Sequence, residues 1–155
     1  MLNLFSYTGS LSVAAGVAGG HVTSVDISQK YLEWGAENFK ANGISADSFI
    51  NVCESVPRFL EDTREEFDVI VLDPPTFSNT KKKNINLSVQ RDHVNWIRMC
   101  LKRMTKDGVL WFSNNMSGFK MEFKEPEAQV KDMTEWSIPI EMRPKKPHKL
   151  WKITK

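Results

Sequence analysis

Apolar positions along this chain fall into short continuous runs that alternate with segments of helical spacing, as strands and helices in turn would require. Residues 1–5 form the first buried run, and 10–17, rich in Ala, Val and Leu, predict a helix that Gly19-Gly20 ends. Residues 21–26 predict a second strand. Ser28 is placed to cap a helix with Tyr31, Trp34, Asn38 and Phe39 at helical spacing, and Asn42-Gly43 is its stop signal. Residues 48–52 predict a third strand, and 55–63 a short helix with Val56, Phe59 and Leu60 on one face. The run Phe-Asp-Val-Ile-Val-Leu at 67–72 is apolar enough for a central strand. Asp73-Pro74-Pro75 must end it, because proline cannot continue a central ladder.

A polar, basic loop is predicted over 76–86, then a long helix over 87–104 with Val94, Ile97, Leu101 and Met104 facing inward. Asp107-Gly108 turns the chain into a fifth strand at 109–113. Pro126 suits the first turn of a short helix running to about 131. Residues 133–138 and 149–154 predict the last two strands, with too little chain between them for a helical crossover, so they should pair antiparallel. The sum is an α/β fold: a doubly wound, Rossmann-like sheet of seven strands, mostly parallel with one antiparallel strand, and helices on both faces. That is the architecture of class I methyltransferases.

Composition narrows the class further. At 155 residues, 41% hydrophobic and 26% charged, the chain fits one catalytic domain over 1–155. No apolar run approaches the roughly 20 residues of a membrane span, and the N-terminus lacks a secretory pattern. Cys53 and Cys100 lie far apart without metal-ligand spacing, and Cys100 falls in a helical pattern that should bury it. A cytoplasmic, metal-free protein without a membrane partner is the expectation. Net charge is only +2, but Lys81-Lys82-Lys83 and the cluster Arg143, Lys145, Lys146, Lys149, Lys152 and Lys155 are locally basic. Two readings of these clusters are open: solvated surface with a floppy tail, or contact with a phosphate backbone.

In a doubly wound sheet a ligand binds outside the carboxyl ends of the strands, near the switch point. The loop from Phe5 to Ser10 lies there. Gly9 lets backbone approach a ligand, and Ser6, Thr8 and Ser10 can donate hydrogen bonds. A dinucleotide would want Gly-x-Gly-x-x-Gly, which is absent. S-adenosylmethionine has no pyrophosphate and needs fewer glycines. Asp26, at the end of the second strand, can accept from both ribose hydroxyls or cap the next helix; both readings stand. The Asp73-Pro74-Pro75-Thr76-Phe77 turn follows the fourth strand beside that loop. Its prolines either simply end the strand or hold Asp73 and outward carbonyls toward a flipped base, with an aromatic to stack on it.

Five segments together carry a resemblance: Leu-Asn-Leu-Phe-Ser-Tyr-Thr-Gly-Ser (2–10), Val-Asp-Ile-Ser-Gln-Lys-Tyr-Leu-Glu-Trp (25–34), Asp-Pro-Pro-Thr-Phe-Ser-Asn (73–79), Val-Gln-Arg-Asp-His (89–93) and Phe-Ser-Asn-Asn (112–115). The chain resembles the C-terminal half of the bifunctional bacterial 23S rRNA large-subunit methyltransferases K/L. That half makes 7-methylguanosine, and a separate upstream half makes N2-methylguanosine. The resemblance implies S-adenosyl-L-methionine as cofactor and 23S rRNA, in the large subunit or its precursor, as partner. It implies that Phe5, Ser6, Tyr7, Thr8 and Gly9 line the cofactor, that Asp26 holds the ribose with Ile27 beside it, and that Asp73, Pro74, Pro75 and Phe77 face the base. Where relatives often carry an Asp for the adenine amine, this chain has Cys53-Glu54-Ser55, so that contact passes to Glu54 or Ser55. Relatives also have chain upstream of the first strand, so a longer protein with upstream domains is expected.

Guanine N7 has a free lone pair, so its methylation needs no general base. A cytosine-C5 enzyme would need an attacking thiolate, and Phe112-Ser113-Asn114-Asn115 holds none. A guanine-N2 enzyme and a non-catalytic RNA-binding module are further alternatives. His93 is open between facing substrate and a solvated or capping role, Arg91 is a candidate phosphate ligand, and the five tryptophans read mostly as core, Trp151 included.

Overall fold

The computed structural model describes residues 1–80, 85–145 and 147–155, and the side chains of all these except 78–80, 85 and 86. The Lys81–Lys83 run and Lys146 lie outside the described residues. The chain runs β1 (Leu2–Leu4), α1 (Ser10–Val17), β2 (Val22–Asp26), α2 (Gln29–Ala41), a 3₁₀ turn (Ala46–Ser48), β3 (Phe49–Cys53), α3 (Val56–Asp62) and β4 (Phe67–Leu72). It continues through β5 (Phe77–Thr80), β6 (Ile85–Ser88), α4 (Val89–Lys102), β7 (Met104–Asn114), β8 (Gln129–Asp132), α5 (Thr134–Ser137), a second 3₁₀ segment (Ile140–Lys145) and β9 (Lys149–Thr154).

Seven strands form one sheet in the order β3-β2-β1-β4-β7-β9-β8. The pairs from β3 to β7 are parallel, and β9 runs antiparallel to both β7 and β8. This is the class I methyltransferase architecture. The strand order reverses between β1 and β4, so the loops that follow these two strands open side by side at the carboxyl edge of the sheet.

The two faces of the sheet are packed differently. Leu2, Leu4, Val25, Ile70, Leu72, Leu110, Phe112 and Ile153 point to one side, where α3 supplies Leu60 and α4 supplies Trp96, Ile97 and Cys100. In α4 the buried positions Val89, His93, Trp96, Ile97 and Cys100 form one stripe at three- and four-residue spacing. Each large apolar side chain so buried contributes about 1.5–3 kcal/mol. Side chains alternate along a strand, so Asn3 and Ser24 face the other way. There Asn3 Nδ2 donates to Ser12 Oγ at 2.8 Å, and the Ser12 and Ser24 hydroxyls bond at 2.8 Å, all three buried. Helix α1 therefore rests on the sheet through a satisfied polar contact, and Ser12 is its one buried residue.

Ser28 caps α2 as its residue type predicts, accepting from the Tyr31 amide at 3.4 Å, and Gly43 follows in the left-handed region at φ 68°. Four expectations need correction. Residues predicted as loop form the antiparallel hairpin β5–β6, so Leu87 and Ser88 belong to a strand and the following helix starts at Val89. The helix predicted from Pro126 is replaced by β8, a strand exposed along its whole length, whose pairing with β9 defines it. The strand predicted at 133–138 is helix α5, started by Asp132 Oδ1 accepting from the Thr134 amide at 2.8 Å. The antiparallel partner of β9 has thus moved a few residues upstream. The Asp107-Gly108 turn is an irregularity inside β7, whose register against β4 shifts between Phe67 and Val69.

The last three basic residues, Lys149, Lys152 and Lys155, do not lie in a floppy tail. Residues 149–154 are β9 in the sheet, Lys149 Nζ donates to the Phe119 carbonyl at 2.6 Å, and Lys155 Nζ donates to the Met104 carbonyl. Among the tryptophans, Trp96 and Trp151 are core, whereas Trp34 and Trp136 are exposed. Trp151 stacks on Phe112, with ring centroids 5.6 Å apart. Cys100 is fully buried, as its pattern predicts, and burial pushes its thiol pKa well up.

Candidate active site

The loops after β1, β2, β3, β4 and β7 enclose a cleft of about 1240 Å³. Its walls include Phe5, Tyr7, Asp26, Ile27, Glu54 and Ser55 on one side and Asp73, Pro74, Pro75 and Phe77 on the other.

The first wall is shaped by backbone. Phe5 and Tyr7 sit in the left-handed region, at φ 58° and φ 50°, where aromatic residues are rarely held. Such strain persists only when its surroundings over-determine it. Here the Ser6 amide donates to the Val25 carbonyl at 3.0 Å and the Gly9 amide to the Ser6 carbonyl at 2.9 Å. Asp26 completes the lock. Its Oδ2 accepts from the Tyr7 amide at 2.9 Å and its Oδ1 from the Ser28 amide at 2.9 Å. Both carboxylate oxygens are thereby aimed, and each retains a lone pair for a further donor. Tyr7 packs edge-on against Tyr31 at 4.4 Å, which extends an aromatic wall over Asp26. Glu54 Oε1 accepts from the Ser55 amide at 2.8 Å, while its other oxygen lies 3.5 Å from Arg58.

The second wall is held by side chains. The Ser113 hydroxyl donates to Asp73 Oδ1 at 2.6 Å, and the Thr76 hydroxyl to Asn115 Oδ1 at 2.7 Å. The Val89 amide donates to the Thr76 carbonyl at 3.3 Å, tying the turn to the start of α4. Pro74 is buried, Pro75 and Asp73 are exposed, and Phe77 is 66% exposed at the rim. Phe77 is also the first residue of hairpin β5–β6, where it pairs with Ser88.

No family model matches the chain. It is 43% identical over 151 residues to the ribosomal RNA large subunit methyltransferase K/L of Psychrobacter arcticus, covering 95% of this chain and 20% of that protein. It is 41% identical over 157 residues to the ribosomal RNA large subunit methyltransferase K of Neisseria meningitidis, covering 98% of this chain and 44% of that protein. This chain is a homologue of the ribosomal RNA large subunit methyltransferases K/L. It spans about a fifth of the K/L relative's length and less than half of the K relative's. Among solved structures, a methyltransferase complexed with SAH superposes at TM-score 0.79 with 25% identity, over 98% of this chain and 44% of that one. A SAM-dependent methyltransferase from Agrobacterium tumefaciens superposes at TM-score 0.76 with 20% identity, over 99% of this chain and 55% of that one, which bears on the fold alone.

Of the residues that the resemblance to K/L methyltransferases singled out, ten line the cleft: Phe5, Tyr7, Asp26, Ile27, Glu54, Ser55, Asp73, Pro74, Pro75 and Phe77. Ser6, Thr8 and Gly9 stand behind its wall. The Ser6 hydroxyl is buried without a partner among the described residues, and the Thr8 carbonyl accepts from Asn38 Nδ2 at 2.9 Å. Gly9 caps α1 at φ 74°, so its requirement is conformational: a side chain there would be strained. Asp26 does not cap α2, since Ser28 holds that position.

His93 is not among the residues that line the cleft and is not solvated. It is fully buried, its Nε2 accepts from the Glu122 amide at 3.1 Å, and its Nδ1 therefore donates to the Val89 and Gln90 carbonyls. Arg91 pairs with Asp92 at 2.7 Å. Burial opposes ionisation of Asp92, but hydrogen bonds from Arg91 and the Ser88 amide outweigh it and hold the carboxyl below its usual range. Sequence reasoning missed Leu11, Tyr31, Leu87, Asn114, Asn115 and His148 as cleft residues. Tyr31 had a usable signal, because one helical turn past the Ser28 cap returns a side chain to the loop beneath it. His148 and Asn115 had none, since their places depend on how β7 pairs with β4 and β9 with β7.

Proposed function

We propose that this chain is the S-adenosylmethionine-binding methyltransferase domain of a longer cytoplasmic protein with upstream domains, and that it methylates guanine N7 in 23S rRNA. One observation carries the reading: a single cleft brings the doubly braced Asp26 carboxylate within the same walls as the Asp73-Pro74-Pro75-Thr76-Phe77 turn. A volume of about 1240 Å³ exceeds the roughly 300–1,000 Å³ of ordinary small-molecule sites, leaving room for a cofactor and a base together.

The donor set fits S-adenosylmethionine. Asp26 keeps acceptor capacity for two ribose hydroxyls, Tyr7 and Tyr31 give apolar cover, and Glu54 or Ser55 meets the adenine amine. Bound S-adenosylmethionine supplies an electrophilic methyl group on a sulfonium centre. Guanine N7 would receive that methyl on its free lone pair, the sulfonium sulfur keeping the electrons of the bond given up, so the purine would become positive. No proton leaves N7, so the site needs positioning more than acid–base chemistry. Asp73, exposed and aimed by Ser113, turns its carboxylate toward the ring that becomes positive. Phe77 offers its face to the base. A cytosine-C5 reaction fits less well, because buried Cys100 cannot supply a thiolate and Cys53 gives its Sγ to the Ile27 carbonyl at 3.5 Å.

The test has two arms. Calorimetry of the purified full-length protein should show S-adenosylmethionine binding. Borohydride–aniline cleavage of rRNA from a strain lacking the gene should lose one 7-methylguanosine stop, restored by the wild-type gene. An unchanged cleavage pattern would rule out guanine N7.

A further inference from the structure

The end of β7 points to how the base is chosen. Ser113 within the strand and Asn115 just beyond its end are committed to Asp73 and Thr76. Asn114 lies between them and is 1% exposed. Its Oδ1 accepts from the Met116 amide at 3.1 Å, which fixes which end of the amide is which. Its Nδ2 is then a buried donor with no partner among the described residues, at a position that lines the cleft. A buried N–H group left unmade costs about 1–3 kcal/mol, so a fold that places one beside a ligand cleft has a use for it. The flanking hydrogen bonds pin the strand end on both sides.

We propose that Asn114 is the specificity-determining residue of the site: its Nδ2 donates to the exocyclic O6 of the target purine. This rests on the guanine-N7 reading above and deepens it. In guanine O6 is adjacent to N7 on the same edge, so a donor at O6 holds the reacting nitrogen in register. In adenine that position is an amine, and two donors would then face each other. A site built to hydrogen-bond one group rejects an analogue lacking it, because its own buried polar atom stays unpaired. The division of labour follows. Phe77 holds any base by stacking, Asp73 meets positive charge on the ring, and Asn114 reads the atom that distinguishes guanine from adenine.

The experiment uses the full-length protein and a synthetic RNA spanning the methylated guanine, once mapped, with guanine or 2-aminopurine at that position; 2-aminopurine lacks O6 and keeps N7. Asn114→Asp keeps the acceptor for the Met116 amide and removes the donor. Calorimetry with S-adenosylmethionine serves as the folding control, and Asn114→Gln, which keeps the donor, as a second variant. The wild-type protein should lose roughly 10- to 100-fold in kcat/KM on the 2-aminopurine RNA. Asn114→Asp should lose as much on the guanine RNA and nothing further on the 2-aminopurine RNA, and Asn114→Gln should recover part of the guanine rate. Equal rates for Asn114→Asp and wild type on guanine, or losses that multiply, would overturn the role of Asn114 while leaving guanine N7 standing. Wild-type methylation at another base or atom would overturn both.

Discussion

The two walls of the cleft are built from different materials. The wall around Asp26 is made of backbone: two aromatic residues at positive φ, amide-to-carbonyl bonds between neighbouring loops, and one carboxylate bridging two amides. The wall around Asp73 is made of side chains reaching across from β7, Ser113 to Asp73 and Asn115 to Thr76. A backbone wall has few alternative states and suits a ligand that is always the same. A side-chain wall can be retuned by single substitutions without disturbing the sheet, which suits the base selection proposed for it.

Asp26→Ala tests the backbone wall most severely. It removes two charge-assisted bonds that hold the loop, together with the acceptor proposed for the ribose, each worth about 1.5–3 kcal/mol. The S-adenosylmethionine dissociation constant should rise at least roughly 100-fold by calorimetry, with hydrogen exchange at the Tyr7 and Ser28 amides accelerated. An affinity within a few-fold of wild type would show that Asp26 only braces the loop. Phe77→Ala should act on the other wall alone. Stacking on an aromatic contributes about 1–3 kcal/mol per base, so KM for the RNA should rise by about tenfold while cofactor affinity stays unchanged. A fall in cofactor affinity instead would mean that the two walls are not separable.

The difference between the walls also explains what could be read beforehand. Phe5 to Gly9, Asp26 and Asp73 to Phe77 each lie within or next to one loop, so their chemistry is visible as local motifs. Ser113 and Asn115 meet residues about 40 positions away, and nothing in Phe-Ser-Asn-Asn names those partners. The strand Phe67–Leu72 was legible because both its faces are covered and its composition is correspondingly apolar. Strand β8 was not, because Gln129, Val130, Lys131 and Asp132 are all exposed and owe their conformation to β9. Hairpin β5–β6 reads as polar loop because Ser78, Asn79, Asn86 and Ser88 carry no strand signal of their own, and its conformation is defined by the pairing of its two strands. His93 was misread because a histidine on a helix with two carbonyls and an amide around it looks, in sequence, like any other histidine.

Ser113→Ala separates the walls more finely. Without the hydroxyl, Asp73 keeps its place at the end of β4 but loses the bond that turns it. Methyl transfer to rRNA should fall by about tenfold in kcat, with KM and cofactor affinity little changed, and Ser113→Thr should restore most of the rate. A uniform loss of cofactor binding, RNA binding and turnover would mark Ser113 as a structural residue instead.

The smallest effect belongs to the support behind the side-chain wall. Asp92 reaches back to the Ser88 amide at 2.9 Å and takes Arg91 at 2.7 Å, fixing the start of α4, whose Val89 amide holds the Thr76 carbonyl. Its carboxyl is held below the ordinary range in the folded protein. A depressed folded pKa means that the folded state favours the charged form, so the contribution is present above the unfolded value near 3.9 and is lost as pH falls through the lower folded value. Arg91 is largely exposed, and solvent screens the pair, so Asp92→Asn should destabilise by less than about 1 kcal/mol at pH 7. In urea unfolding the gap between variant and wild type should be greatest at neutral pH, shrink in high salt, and close as pH falls through the folded value, which lies below the ordinary carboxylate range. Turnover on rRNA should fall slightly while cofactor affinity hardly moves, because the start of α4 holds the turn at Thr76 through the Val89 amide, whereas its contact with the other wall, Trp96 against Phe5, lies about two turns further along the helix. A gap that neither acid nor high salt reduces would assign the effect to lost packing at the helix start, with the charge playing no part.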